Sequence, residues 1–424
     1  MSGAGARVRS MGTLWHPFSD MGAVEQTGEL ILTRGEGVHV YDRDDRRYLD
    51  ATAGLWFTNV GHGRGELADA AAEQMRRLAA YSTFGDYAPD TTVALADRLE
   101  GIAPVAGSKI FFTSGGSDSI DTAAKMARRY WVEQGRPDKT VLLSRSKAYH
   151  GMHYAGTALA GIPGNREGYG ELVPDTAQVE WDSAESLRAT IESVGADRVA
   201  AFFCEPIIGA GGVYLPPEGY LADVRKICTE HDILFVADEV ITGYGRFGGS
   251  WFASSALGLE PDMVATAKGL TSGYAPMGAV LVAPRVWEPF FRPDAGVWFR
   301  HGYTYSGHAA AAAVALANLD LIEREGLLDG AARVAESLHR ELAPLAEHDR
   351  VVEVRSGLGA VAAIQLADPP TAMRFAVDIR RHGIATRACG AGAIQISPAF
   401  VMSDEQVQEL AAALRAGLDE MEAA

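Results

Sequence analysis

The sequence predicts an α/β protein: a large domain on a mostly parallel sheet, with a smaller α+β domain drawn from both chain ends. Three observations carry this expectation. Short apolar runs alternate with helical stretches through the middle of the chain, a period of two marks the N-terminal part, and the pattern changes after about Ser306. At 424 residues the chain also exceeds what one hydrophobic core usually serves, so two domains are expected.

Residues 1–60 read as an irregular arm followed by short strands that join the smaller domain. ELILTRGEGVHVYDRDDRRYLDA alternates, turns at Asp44-Asp45 and alternates again, a hairpin signal. From GELADAAAEQMRRLAAY the period becomes helical, with Leu67, Ala71, Met75 and Leu78 on one face. Across 61–305, KIFFTS, TVLLSR, VAAFFCEP, ILFVADEV and GAVLVA are buried-strand runs, separated by helical stretches such as DSIDTAAKMARRYWVEQ and PEGYLADVRKICTEH. Strands buried on both faces and alternating with helices imply a parallel sheet, whose ligands bind at the carboxyl ends of the strands. Across 306–424 an alanine-rich helix runs toward Glu325 and the amphipathic AARVAESLHRELAPLAEH follows. VVEVRSGLGAVAAIQL, GIATRAC and AIQISPAF supply strands, and a helix capped by Ser403, with Gln406 at the capping-box position, closes the chain.

Composition narrows the function. Hydrophobic residues make up 47% and charged residues 22%, an ordinary globular balance. With 38 basic and 55 acidic residues the net charge is −17, which argues against non-specific nucleic-acid binding but leaves room for a local basic pocket. Cys204, Cys228 and Cys389 are too few and too scattered for a disulfide framework or a metal site, so a reducing compartment is expected. No long apolar stretch follows the arginines of MSGAGARVRSMGTLWHPF, and no run approaches the length of a membrane span. A cytoplasmic protein without a membrane or nucleic-acid partner is the expectation.

The residues that could carry chemistry cluster at strand ends. Lys268 follows a short apolar segment and precedes a glycine-rich turn; alone it would be a surface lysine. About thirty residues earlier, ILFVADEV ends in Asp238 and Glu239, two carboxylates that are costly to bury without a partner. A core ion pair, a metal ligand or a cofactor with a protonatable ring nitrogen would each explain them, the last best. An aspartate opposite such a nitrogen keeps the ring cationic and electron-withdrawing. FFTSGGSDSIDTAAK places Gly115, Gly116 and Ser117 at a helix start, as a phosphate site or a plain N-cap. KAYHGMHYAG offers Tyr149 and His150 after a strand, as a stacking aromatic or as core. HGYTYSGHAAAA gives Thr304 in a polar turn before a helix, another possible phosphate donor.

Together and in this order these features resemble class III of the pyridoxal-phosphate aminotransferases, the ω-transaminase subgroup. The resemblance runs from LWHPF to ISPAF, and its most specific element is DEVITGYGRFG followed at family spacing by AKGLTSGYAPMGA. It implies the type I pyridoxal-phosphate fold, pyridoxal phosphate as cofactor and at least a homodimer, with a tetramer of paired dimers as the alternative. Lys268 matches the Schiff-base lysine, Asp238 the partner of the pyridinium nitrogen, and Val240 and Tyr149 the residues on the two ring faces. Gly116 and Ser117 match the phosphate cup. Thr304 matches a threonine that reaches the neighbouring subunit's cofactor phosphate, and Glu205 a glutamate near the ring. Where many members read GSEAxExAxK this chain has GSDSIDTAAK, with Asp118 and Asp121 in place of longer acids.

The resemblance further implies ping-pong transfer from a small-molecule amine donor to a keto-acid acceptor. Trp56, Phe18 and Phe84 match segments that line the substrate pocket of amine:pyruvate relatives, with core packing as the alternative for each. Arg387 matches a mobile arginine that binds the acceptor's carboxylate and can swing aside for an apolar group, the alternative being a surface arginine. Pyruvate is the expected acceptor, with β-alanine or an apolar primary amine as donor. LWHPFSDM also resembles the start of diaminopelargonate synthases, so a biosynthetic or natural-product-tailoring aminotransferase is the alternative, and an aminomutase a more distant one. A dinucleotide-binding dehydrogenase would need a GxGxxG between strand and helix, which none of the glycine-rich pieces provides. A catalytically inactive binding or regulatory dimer is disfavoured because the lysine, the aspartate and the phosphate cup are all present.

Overall fold

The structure is a computed structural model that describes residues 13–293 and 296–421; the first twelve residues of the expected arm lie outside them. The N-terminal meander comprises β1 (Leu32–Glu36), β2 (His39–Asp42) and β3 (Arg47–Asp50). Its second turn is the expected one at Asp44-Asp45. The first alternating run is itself broken by a turn at Gly37, whose φ of +56° suits glycine, so the expected hairpin is a three-stranded meander.

The main sheet holds β4 (Lys109–Thr113), β5 (Val141–Arg145), β6 (Thr176–Val179), β7 (Val199–Cys204), β8 (Leu234–Asp238), β9 (Met263–Thr266) and β10 (Gly278–Val282). Their order is β4-β10-β9-β8-β7-β5-β6. The five strands from β6 to β9 are parallel, while β10 runs antiparallel to both neighbours. The mostly parallel sheet read from the apolar runs is therefore present. Its inner strands are buried on both faces: on β7, Phe202 packs in one apolar layer and Phe203 in the other. The half-exposed edge strand β6 has no apolar run to betray it.

A third sheet holds β11 (Glu353–Arg355), β12 (Ala362–Gln365), β14 (Ala388–Cys389) and β15 (Ala393–Ile396), in order β11-β12-β15-β14. The short β13 (Ile384–Ala385) leaves this sheet and pairs in parallel with β3, so the two chain ends share one sheet, as expected. Val38, Leu49, Ile364, Phe375 and Leu414 bury together and seal that junction. The closing helix Asp404–Asp419 starts in the predicted box: Gln406 N donates to Ser403 Oγ, and Ser403 N to Gln406 Oε1. No helix among the described residues is long and apolar enough to cross a membrane.

Arg246, in the loop after β8, joins the main sheet to these terminal elements. It is fully buried, and its Nη1 donates to the carbonyls of Ala360, Ser397 and Pro398 while Nη2 donates to Asn59 Oδ1. Burial lowers its pKa to about 9, an effect eased by Asp50. Arg246→Ala would leave a cavity and orphaned carbonyls, and is expected to cost roughly 3 kcal/mol. A chemical-denaturation midpoint indistinguishable from the parent's would contradict that account.

Candidate active site

The carboxyl ends of β5, β7, β8 and β9 converge on one cavity of about 420 Å³, where parallel sheets place their ligands. Lys268, Asp238, Glu205, Tyr149, Val240, Gly116 and Ser117 all line it, so seven of the residues singled out from sequence meet in one place. Lys268 follows β9 with a φ of +42°, a left-handed backbone uncommon for lysine. After that turn its side chain lines the cavity. Its surroundings strip water from the ammonium and lower its pKa to about 8, although Asp238 and Glu205 pull the other way.

Asp238 caps β8. Its Oδ2 accepts from His150 Nδ1 at 2.8 Å and its Oδ1 from Val240 N at 3.1 Å. His150, for which the sequence left a site role and a satisfied core histidine both open, is a participant; its place beside Tyr149 after β5 was the available signal. Glu239, next to Asp238, turns the other way. Its carboxylate accepts from the amides of Ala253 and Ser254 and from Thr242 Oγ1, so it closes a short helix and takes no part in the cavity. Glu205 Oε1 accepts from Tyr149 N and Oε2 from Gly209 N, both at 2.9 Å. Burial raises its pKa despite those amides.

The helix Gly116–Glu133 aims its N-terminus at the same cavity. The amides of Gly116 and Ser117 have no protein acceptor among the described residues. A Cβ on Gly116 would come within 2.8 Å of Val240 Cγ1, and one on Gly151, at φ +84°, within 2.5 Å of Ser117 Oγ. Glycine at both positions lets the backbone close into a cup with free donors at a helix start, which suits a phosphate. The shorter acids remain engaged around it. Asp118 accepts from Ser114 N and from His153, and Asp121 from Gly156 N.

A second cavity of about 320 Å³ opens on the other side of Lys268, which with Leu55, Tyr149 and Ile241 belongs to both. Phe18, Trp56 and Arg387 line it. Trp56 is buried at 2% exposure, whereas Phe18 stands at 66%, edge-on to Tyr149. Phe84 and Thr304 line neither cavity and are exposed on this chain. Phe84 packs against Gly302, in the same strap that carries Thr304, and His301 of that strap is tied to Thr122 at 2.8 Å. Met75 and Leu78 of the helix Gly65–Leu78 are exposed as well, so only the Leu67 end of the expected apolar stripe is covered within the chain.

The depressed Lys268 pKa predicts a pH dependence. The folded chain binds fewer protons here than the unfolded chain between about 8 and 10.5, so this residue's contribution to stability rises with pH across that window. Capture of an aldehyde by Lys268 in cofactor-free protein, trapped by borohydride, should climb through about pH 8. An exposed lysine would climb only near pH 10.4, roughly; that behaviour at Lys268 would show that the desolvation is absent.

The arrangement combines a lysine of lowered pKa, a carboxylate backed by histidine, an aromatic wall and a cup of free amides. The donor set therefore fits a phosphorylated, cationic, planar ring. Comparison with known proteins agrees. The sequence model of the family aminotransferase class-III matches residues 21–418. The putrescine–pyruvate aminotransferase of Pseudomonas aeruginosa is 41% identical over 96% of this chain and 94% of its own length. The β-alanine–pyruvate aminotransferase of the same organism is 35% identical over 93% of each chain. Among solved structures, a pyridoxal-phosphate-bound amine transaminase from an uncultivated Pseudomonas species has 35% sequence identity. It superposes with a TM-score of 0.91, covering 97% of this chain and 99% of its own. The chain belongs to the class III aminotransferases, a family of pyridoxal-phosphate-dependent enzymes, and is itself an aminotransferase.

Proposed function

We propose that this aminotransferase carries pyridoxal phosphate on Lys268 and moves an amino group from an ω-amino acid or an apolar primary amine to an α-keto acid, pyruvate in the first instance. One observation carries the reading: Lys268 stands between a cavity with the donors for the cofactor and a second, mainly apolar cavity that holds one guanidinium. Asp238 would pair with the ring nitrogen, Tyr149 and Val240 would flank the ring, and Gly116 and Ser117 would hold the phosphate. Once bound, pyridoxal phosphate supplies an aldehyde that takes up the amine and a cationic ring that accepts electrons from the substrate carbon. The chain contributes the proton traffic. A Lys268 amine with a pKa of about 8 can take a proton from the substrate carbon and return it near neutral pH.

The second cavity supports the substrate assignment. Leu55, Trp56, Ile162, Ile241 and Met373 offer apolar walls, and Arg387 offers a fork for a carboxylate. The names of the relatives pair pyruvate with putrescine or β-alanine. A homodimer accounts for Thr304 and Phe84, which lie outside the chain's own cavities and could complete a partner's site. The exposed Met75 and Leu78 would be covered by the same contact. Three buried free cysteines suit a reducing, cytoplasmic setting.

The test follows the visible absorbance of the cofactor-loaded protein. The band should bleach with β-alanine or an apolar amine and return on adding pyruvate; a band indifferent to both would refute the reading. Arg387→Ala should raise the KM for pyruvate by roughly 10²-fold, the loss of a desolvated charge pair, and change the KM of an apolar amine little.

A further inference from the structure

Arg387 enters the second cavity from the turn between β13 and β14, and its hydrogen bonds are unevenly distributed. Nε donates to Gln395 Oε1 at 2.6 Å. The two Nη atoms make no hydrogen bond or ion pair among the described residues, although the guanidinium is desolvated enough for its pKa to be lowered. Gln395, on β15, is fully buried and has its other end fixed too. Its Nε2 donates to Ser397 Oγ at 2.8 Å, and Ser397 Oγ donates to the Thr52 carbonyl at 3.2 Å. Donation along this chain of bonds runs in one direction, from Arg387 through Gln395 and Ser397 to Thr52, because Nε–H of arginine can only donate and the Thr52 carbonyl can only accept.

The far end of this chain meets the other wall of the cavity. Thr52 is held by Asp50, whose Oδ1 accepts from Thr52 N at 3.0 Å and from Thr52 Oγ1 at 2.9 Å. Thr52 opens the turn that carries Leu55 and Trp56, the latter at a φ of +69°. Arg387 and Trp56 thus hang from one hydrogen-bonded scaffold. The side chain at 395 suits that place in a specific way. An amide engages Nε without cancelling the positive charge and leaves both Nη groups to face the cavity. A carboxylate there would form a buried ion pair that competes with a substrate carboxylate. An apolar residue would leave the arm unanchored.

We propose that Gln395 is the positioning residue that holds Arg387 turned into the second cavity with its charge uncompensated, and so sets the balance between carboxylate-bearing and apolar substrates. The proposal rests on the reading of Arg387 as the carboxylate's partner. Carboxylate substrates meet a guanidinium already in place. An apolar substituent must first displace the arm and break its bond to Gln395.

The test measures steady-state constants of the cofactor-loaded enzyme for pyruvate and for an apolar amine. Gln395→Leu should raise the KM for pyruvate roughly tenfold, the loss of one hydrogen bond to a charged group, with kcat within about twofold and kcat/KM for the apolar amine improved about threefold. Gln395→Glu, nearly the same size, pins the arm more firmly and should lower kcat/KM for the apolar amine by about fivefold. The opposite signs are the diagnostic, since general loosening moves both variants and both substrates the same way, and that result would overturn the proposal. In an Arg387→Ala background, Gln395→Leu should change the pyruvate KM by less than about twofold. If Arg387→Ala raises the pyruvate KM and Gln395→Leu does not, the role of Gln395 alone is overturned. If Arg387→Ala leaves it unchanged, both readings fall.

Discussion

Lys268→Ala should abolish turnover, lowering kcat by at least about 10³-fold, toward the upper range for a group that both holds a reactant and moves a proton. Two separable capacities are lost. The amine that would anchor the cofactor is gone, so borohydride treatment of the loaded protein should mark a peptide containing Lys268 in the parent and none in the variant. The proton carrier is gone as well, so non-covalently added cofactor should not restore the rate. An added small amine could return part of the second capacity but none of the first. The fold should survive, because the Lys268 side chain makes no hydrogen bond among the described residues and its ammonium is held below its ordinary pKa by burial. A variant that keeps more than about a tenth of the parent's kcat would remove Lys268 from the chemistry.

Much of this site was legible because the fold writes it at the ends of apolar runs. β8 is five buried residues ending at Asp238, and β9 four buried residues ending two before Lys268. A reader who trusts burial and the strand-end rule is led to both. The same logic could not separate Asp238 from Glu239. What separates them is a contact 15 residues on, where the amide of Ser254 folds back to satisfy Glu239. His150 was left open between a site and a core role, and Gln395 was missed, for a related reason. Each is a single polar residue beside stronger signals, and its meaning lies in one side-chain bond to a residue distant in sequence or in a neighbouring turn. Thr304 and Phe84 mark another boundary. A sequence can place them in a family pattern, but the chain by itself leaves them on the surface, away from both cavities. At the level of fold, β6 escaped because a half-exposed edge strand carries no apolar run, and the meander's first turn because Gly37 sits inside an otherwise regular alternation.

Asp238→Asn should reduce kcat/KM by at least about 10²-fold while leaving the protein folded and loaded with cofactor, because the substitution removes a charge and little else. Asparagine keeps one oxygen to accept from Val240 N, and its amide nitrogen can donate to His150 Nδ1 in the histidine's other tautomer, so the geometry around the end of β8 has little reason to change. What disappears is the anion that would keep a ring nitrogen protonated, and with it the electron withdrawal that stabilises charge on the substrate carbon. The deficit should therefore sit in the chemical step. It should appear in kcat of both half-reactions, with the substrate KM values moving far less. Asp238→Glu retains the charge but pushes it one methylene outward against His150, and should recover activity above the asparagine variant. His150→Gln offers the complementary comparison. It takes away the imidazole that orients Asp238 yet spares the anion, so its loss should be nearer tenfold, roughly one charge-assisted hydrogen bond. An ordering in which His150→Gln is the most damaged of the three would shift the essential role from the charge of Asp238 to the histidine behind it.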